Sequence, residues 1–299
     1  MVVTGEQGAG QWDRLVAQLD PHAQLVAARP LTGGVSAQVH ALTLRLADGG
    51  QREVVVREKS GTVAKEYVVL KAARACGIPV PEPLLVDPLA TLRPLPSLVM
   101  AFVAGESVVA PAQLDAALRA MATQLVAIHT VPINGLDDLP VLTDPVPEAL
   151  QFLAVDVRFN ALRALMRALV DTDYRGPNRL IQGDYWPGNL LWRDGELVAI
   201  LDWEDAHVGD PLADVACARV EIRYRHGAHA SRTFTRYYAD LADLDPVRLA
   251  LWDVYVASAA LNYMGEWGLA ESTVAHMREQ ATQFVLEAEL TLRNAASGR

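Results

Sequence analysis

The chain has 299 residues, 51% of them hydrophobic and 21% charged, an ordinary globular balance with enough apolar material to bury a sizeable core across two domains or lobes. A formal charge of −10 argues against a nucleic-acid partner, which needs clustered Lys and Arg, and no apolar run approaches the ~20 residues of a membrane span. The start MVVTGEQGAGQWDR has neither a basic patch nor an apolar h-region, and Cys76 and Cys217 are too isolated for a disulfide framework or a zinc site. The expectation is therefore a cytoplasmic protein, with each cysteine a small buried hydrophobe. The acidic balance is compatible with a cationic small-molecule partner.

Residues 12–28 read as an opening helix, with strand-like character from Leu25 to Ala28. Alternating Leu42, Leu44 and Leu46 in 38–46 and the valine run in 53–59 predict two strands, joined as a hairpin by Asp48-Gly49-Gly50. A helix over 63–75 ends near Gly77 and is stopped by Pro79 and Pro81. Leu98 to Val103 predicts another strand, ending at Ala104-Gly105. Beyond it the composition turns helical. Leu114, Leu118, Met121, Leu125 and Ile128 recur at helical spacing over 113–130, and a second helix is expected over 148–170 with Leu150, Leu153, Leu162, Leu165 and Leu169 inward. Segments near 211–225, 230–242, 246–264 and 271–296 also read as helices, so the boundary falls near residue 104.

The most informative stretch is Gln182 to Asp214, QGDYWPGNLLWRDGELVAILDWEDAHVGDPLAD. Asp184 is followed five residues later by Asn189, and a hairpin turning at Asp194-Gly195 leads to Asp202 at the end of an apolar run. One carboxylate able to accept a proton, followed by an amide and a second carboxylate able to hold magnesium, is the set a kinase-type phosphoryl transfer needs. The spacing puts Asp184 and Asn189 on one loop and Asp202 at a strand end, so all three can be aimed at one triphosphate.

This stretch resembles the catalytic core of the aminoglycoside phosphotransferase and choline kinase family, whose fold is that of the protein kinases. Gln182-Gly183-Asp184, Asn189, Leu201-Asp202-Trp203-Glu204, Gly209-Asp210-Pro211 and Asp214 follow the family's order, with Gln182 where the family has histidine. The resemblance implies an α+β, two-lobed protein-kinase-like fold. A small mixed β-rich N-lobe (1–104) would bind nucleotide, and a larger, mainly helical C-lobe (105–299) would hold the catalytic loop and the acceptor. It further implies transfer of the terminal phosphoryl group of ATP or GTP, with Mg2+, to a hydroxyl of an aminoglycoside-, amino-sugar- or choline-like molecule. Asp184 would orient the hydroxyl or accept its proton, while Asn189 and Asp202 would ligate magnesium through oxygen.

In the small lobe, Gly33, Gly34 and Ser36 resemble the family's glycine–serine phosphate loop. Arg57 matches the family's strand cation and Glu66 its helix partner. Lys59, two residues on and on the same strand face, is the rival cation, otherwise a solvated strand edge. Met100, Ala101 and Val103 match the interlobe hinge, where adenine would bond to backbone at Ala101 and Val103 with Met100 behind it.

Gln182, Glu204 and Asp205 are supporting or substrate-binding candidates. Trp186, Trp192 and Trp203 read as packing, Asp210 and Asp214 as carboxylates bracing the loop, and His129 and His207 as capping or surface residues. Glu221, Tyr224, Trp252, Asp253, Tyr255 and Asn262 are acceptor-pocket candidates with no position in space. The alternative readings are a catalytically weak nucleotide-binding regulator and a protein kinase. The latter lacks an Ala-Pro-Glu signature between Asp202 and Pro211. A monomer and a homodimer both fit.

Overall fold

The computed structural model describes residues 10–31, 37–169 and 172–297. The chain divides into two compact units, Met1–Glu106 with Val198–Glu204, and Ser107–Leu197 with Asp205–Arg299. The first unit therefore takes back a short piece of chain that no composition shift marks.

The first unit contains helix α1 (Asp13–Leu19), strands β1 (Gln24–Pro30), β2 (Gln38–Arg45) and β3 (Gln51–Glu58), helix α2 (Val63–Ala75), and strands β4 (Pro83–Asp87) and β5 (Ser97–Ala101). The strands form one antiparallel sheet in the order β1-β2-β3-β5-β4. Trp12, Leu15 and Val16 cover one face, packing on Leu42, Leu44, Val54, Val56 and Val99. Strand alternation then sends Arg57 to the other face, where α2 lies.

The opening helix is much shorter than the expected 12–28. It ends at Leu19, because Asp20 precedes Pro21 and is pushed to an extended conformation (φ −155°, ψ 114°). The Asp20 carboxylate then accepts the His22 amide at 2.8 Å, turning the chain into β1. Strand β4 was hidden behind its prolines. Pro83 opens it, which is tolerated because β4 is the edge of the sheet. Cys76 follows the last turn of α2 and is exposed, so it is not the buried hydrophobe expected; Cys217 is half-buried.

The second unit begins with α3 (Leu114–Ile128) and β6 (Val141–Leu142), then α4 (Val146–Phe152), α5 (Asn160–Arg167) and β7 (Arg179–Ile181). It continues with β8 (Leu190–Arg193), the start of β9 (Glu196–Ile200), β10 (His207–Gly209) and three long helices, α6 (Leu212–Ala239), α7 (Pro246–Tyr263) and α8 (Glu271–Ser297). Strand β10 runs parallel to β6 and antiparallel to β7. A Cβ on Gly209 would lie 1.9 Å from the Leu142 carbonyl oxygen, so only glycine fits this pairing.

The single helix expected over 148–170 is interrupted. Asp156 is extended (φ −115°, ψ 113°), and its carboxylate accepts the Arg158 amide at 2.9 Å, capping a new turn in place of continuing the old one. Helix α6 is broken at Gly227 (φ 81°, ψ 172°), where the sequence had marked a gap between two helices. Helix α7 starts with Asp245 accepting the Val247 and Arg248 amides at 2.8 and 3.1 Å, and with Pro246 in the first turn.

The core of this unit joins α4 to α8 through residues such as Leu162, Met166, Val254, Phe284, Val285 and Leu292. It also holds an ion pair: Asp253 of α7 lies 3.2 Å from Arg219 of α6. Burial pushes the Asp253 carboxyl up to about 7, against the pull of Arg219. A group whose folded pKa exceeds its unfolded one keeps its proton longer in the folded state, so its contribution to stability falls as pH rises through that interval. The melting temperature is expected to fall between about pH 4 and 7, and Asp253→Asn to remove part of that fall. A variant with the parent's slope would show that Asp253 is not the group responsible.

Candidate active site

In the first unit, the end of β3 and the piece 201–204 build a charged cluster. Arg57 Nε lies 3.3 Å from Glu66 Oε2 on α2, its Nη2 lies 3.1 Å from Asp202 Oδ1, and the same Nη2 donates to Glu204 Oε2. Lys59 Nζ donates to that Glu204 oxygen at 2.6 Å. Three acids thus meet two cations. Burial works against the Arg57 charge, but Glu66, Asp202 and Glu204 together hold its pKa above the ordinary value. Burial pushes Glu66 up to about 7; Asp202 and Glu204 add to this, while Arg57 and the Trp203 amide oppose it.

Lys59 is therefore no solvated strand edge: it shares Glu204 with Arg57. Its side chain remains 25% exposed against 9% for Arg57, and Arg57 alone bridges three carboxylates. Removing one partner of a buried pair costs about 3–5 kcal/mol, because the other charge is left stranded. Arg57→Ala is expected to lower the melting temperature sharply, while Lys59→Ala should be milder in stability. Equal losses, measured by thermal unfolding, would contradict this ranking.

Asp202 has φ 55°, a left-handed conformation that Asp adopts at less cost than most residues. Its neighbour Trp203 is fully buried and donates its indole N–H to the Ile200 carbonyl at 3.0 Å. Met100 and Ala101 end β5, and the Ala101 amide donates to the Glu82 carbonyl at 2.8 Å, so that amide is already engaged within the first unit. Gly33, Gly34 and Ser36 lie outside the described residues.

In the second unit the loop 182–189 is held from beneath. The Asp214 carboxylate, fully buried at the start of α6, accepts the amides of Gln182 and Gly183, each at 2.8 Å. Its Oδ2 also lies 3.3 Å from His129 Nε2, and His129 Nδ1 is 3.0 Å from the Tyr238 hydroxyl. His129 is thus the C-cap of α3, as expected, but it is buried in the brace and is not a surface residue. Its place at the end of α3 hid this, because its partners are 85 and 109 residues away.

Gln182, also buried, accepts the Asp184 amide on its Oε1 at 2.7 Å, so the amide side chain ties the loop to itself. Gly183 (φ 91°) faces the Asp205 carbonyl oxygen, 2.4 Å from where a Cβ would sit. Tyr185 is buried and donates to the Met121 carbonyl at 3.0 Å, anchoring the loop to α3.

The loop presents Asp184. Its Oδ2 accepts from Asn189 Nδ2 at 2.8 Å and from Trp186 Nε1 at 3.1 Å. Trp192 and Trp203 are packing residues, but Trp186 is only half-buried and bonds the Asp184 carboxylate directly. Glu221 of α6 is close enough for Asp184 to act on it: burial, then the Asp184 charge, push it up to about 7, with Arg225 opposing. Burial also raises the Cys217 thiol, with Asp184 adding to the effect.

Beside the loop a cavity of about 270 Å3 is lined by Gly183, Asp205, Cys217, Trp252, Tyr255 and Val256, among others. Of the acceptor candidates it gathers Asp205, Trp252 and Tyr255. Asp253 instead pairs with Arg219, Tyr224 is part of the helical core, and Asn262 borders a separate small hollow with Arg158 and Arg278. Asp210 braces the fold, accepting from Trp252 Nε1 at 2.5 Å and from Arg248.

Magnesium's demands can be set against these donors. Among the described residues no three His, Cys, Asp or Glu side chains converge on a point where a metal would sit. Asp202 in the first unit offers a carboxylate and Asn189 in the second an amide oxygen, each the hard oxygen type that magnesium takes. No helix among the described residues is long and apolar enough to cross a membrane.

Comparison with known proteins agrees with the fold. A mouse protein, acyl-CoA dehydrogenase family member 10, is 29% identical over 199 residues, which is 58% of this chain but only 18% of the mouse protein; the chain spans about a fifth of that relative's length. A macrolide 2′-phosphotransferase type I has the same fold, with a TM-score of 0.65 at 19% identity over 94% of this chain and 99% of that one. So does the GDP and kanamycin complex of APH(2″)-IIIa, with a TM-score of 0.63 at 16% identity over 91% and 97% of the two chains. The model of the phosphotransferase enzyme family matches residues 27–252, from the first strand through the loop 182–189 to α7, and the chain belongs to that family.

Proposed function

We propose that the protein moves the terminal phosphoryl group of ATP or GTP to a hydroxyl group of a small molecule, with Asp184 orienting that hydroxyl and receiving its proton. The observation that carries this reading is the Asp184 carboxylate itself, fixed by Asn189 and Trp186 on a loop whose amides are tied to buried Asp214. A base held in one orientation at the proton it must take is the requirement of general-base chemistry.

Asp202 and Asn189 would hold Mg2+, and Arg57, with Lys59 beside it, would meet the nucleotide phosphates while Glu66 fixes the guanidinium. When bound, magnesium neutralises charge on the phosphate oxygens. Gly33, Gly34 and Ser36 would line the phosphates, and the Ala101 carbonyl and Val103, with Met100 behind, would meet the base of the nucleotide. Gln182 stands in for the usual histidine by bonding the Asp184 amide, which supports an active enzyme over a weak regulator.

The acceptor wall is the cavity beside Gly183. Its acid, Asp205, suits a cationic aminoglycoside-, amino-sugar- or choline-like hydroxyl compound. A second acceptor class is favoured by one feature of that wall. Leu142, Trp252, Tyr255 and Val256 make it largely apolar, and about 270 Å3 lies below the usual range for drug-sized ligands. A hydroxylated acyl group carried on coenzyme A would fill such a wall, and the mouse relative is named for acyl-CoA chemistry.

The test is nucleoside-diphosphate release from magnesium-ATP and magnesium-GTP with choline, ethanolamine, amino sugars, aminoglycosides, macrolides and hydroxyacyl-CoA thioesters. One class should stimulate release, and Asp184→Asn should abolish the stimulation. Stimulation that survives Asp184→Asn, or none from any class, would overturn the reading.

A further inference from the structure

Trp186 stands two residues after Asp184, and three separate features grip its ring. The indole N–H donates to Asp184 Oδ2 at 3.1 Å. Next to the ring is Gly188, where a Cβ would come within 2.1 to 2.5 Å of three ring carbons, closer than real Cβ atoms approach anything. The Gly188 backbone is not among the positive-φ glycines, so glycine is required there by the ring and not by the turn. The guanidinium of Arg225, from an exposed stretch of α6, lies over the ring, 4.6 Å from its centroid.

Rotation of a carboxylate about its last bond is soft, with broad and nearly two-fold minima. Left to that torsion, Asp184 would present a different edge to the acceptor from one moment to the next. Two donors on the same oxygen remove this freedom: Asn189 Nδ2 at 2.8 Å and Trp186 Nε1 at 3.1 Å. Asn189 also bonds the Asp184 carbonyl at 3.0 Å and is the residue assigned to the metal. Trp186 has no second duty, since an indole offers one donor and no acceptor.

We propose that Trp186, clamped between Gly188 and Arg225, is a positioning residue that fixes the orientation of the Asp184 carboxylate toward the acceptor hydroxyl. The inference rests on the reading of Asp184 as the group that receives the acceptor's proton. Gly188 sets how close the ring approaches the loop, and Arg225 keeps it from swinging outward.

The hydrogen bond to a charged group corresponds to roughly a ten- to hundredfold effect. Trp186→Phe keeps a flat, smaller ring and removes the donor, together with the outer indole edge that meets Gly188. With the acceptor that the nucleoside-diphosphate release screen selects, it is expected to lower kcat by about that factor while leaving the nucleotide KM unchanged. Arg225→Ala, which loses only an exposed cation–π contact, should lower kcat by about two- to fivefold.

Gly188→Ala should lower kcat in the parent, yet add nothing further in a Trp186→Ala background, where the ring it displaces is gone. A readout independent of turnover is the 1H–15N spectrum of the indole groups. The signal lost in Trp186→Phe should be the one that shifts in Asp184→Asn, while the other indole signals stay in place. If Trp186→Phe turns over like the parent while Asp184→Asn is inactive, or if its indole signal ignores Asp184→Asn, the inference is wrong and the reading of Asp184 stands. If Asp184→Asn itself turns over normally, it is the reading of Asp184 that fails. Should Trp186→Phe not fold, Gly188→Ala, which moves the ring off the carboxylate, carries the same kinetic expectation and the same power to refute.

Discussion

Asp184→Asn is expected to lower turnover by about two to four orders of magnitude, the range over which a positioned general base acts. The substitution preserves shape and the Trp186 and Asn189 contacts, because an amide oxygen still accepts from both. What it removes is the negative charge and the ability to take a proton. Nucleotide affinity should hardly change, since Asp184 is assigned to the acceptor and not to the phosphates. Thermal unfolding should be near the parent's or slightly raised, because replacing the carboxylate relieves repulsion on Glu221. Steady-state kinetics with separate nucleotide and acceptor titrations checks this, and turnover within threefold of the parent would remove Asp184 from the mechanism.

Asp202→Asn should have an effect of comparable size on a different quantity. Asp202 sits at φ 55°, which Asn adopts about as readily as Asp and at less cost than most residues, so Asn isolates the charge from the backbone. Losing even an outer-shell partner of a metal typically costs about 10–100-fold in affinity, and a ligand should cost more. Magnesium-dependent nucleotide binding should therefore weaken by more than tenfold, while metal-free nucleotide binding changes little. The 3.1 Å contact to Arg57 makes a modest stability change unavoidable, so calorimetric titration with and without magnesium is the deciding comparison. Magnesium-ATP binding equal to the parent's would make Asp202 a structural partner of Arg57 only.

Much of the architecture could be read from local pattern. The helices over 63–75, 113–130, 246–264 and 271–296 are close to those observed, because their apolar spacing and end signals agree. Failures occurred where one residue overrides a periodic pattern. Asp20 before Pro21 cut the first helix short, Asp156 capped a turn inside the expected helix over 148–170, and Pro83 concealed a strand that its edge position permits.

The site divides in the same way. Asp184, Asn189, Asp202 and Asp214 lie on one ordered motif, so the sequence names them as candidates together. His129 and Tyr238, which complete the brace under Asp214, come from distant helices, and a helix pattern does not distinguish a histidine turned inward from one turned out. Lys59 stayed open between a rival cation and a solvated strand edge, because Glu204, 145 residues away, supplies its partner. Trp186 was taken for packing, since its bond to Asp184 depends on a ring orientation set by Gly188 and Arg225.

The most direct measurement of the central claim is transfer of label from [γ-32P]ATP, with magnesium, into the filtered small-molecule fraction of a cell extract, comparing the parent with Asp184→Asn. The account predicts a labelled phosphomonoester formed by the parent, dependent on magnesium and absent with the variant. Label appearing equally with both proteins, or with neither although the parent binds magnesium-ATP, would contradict it.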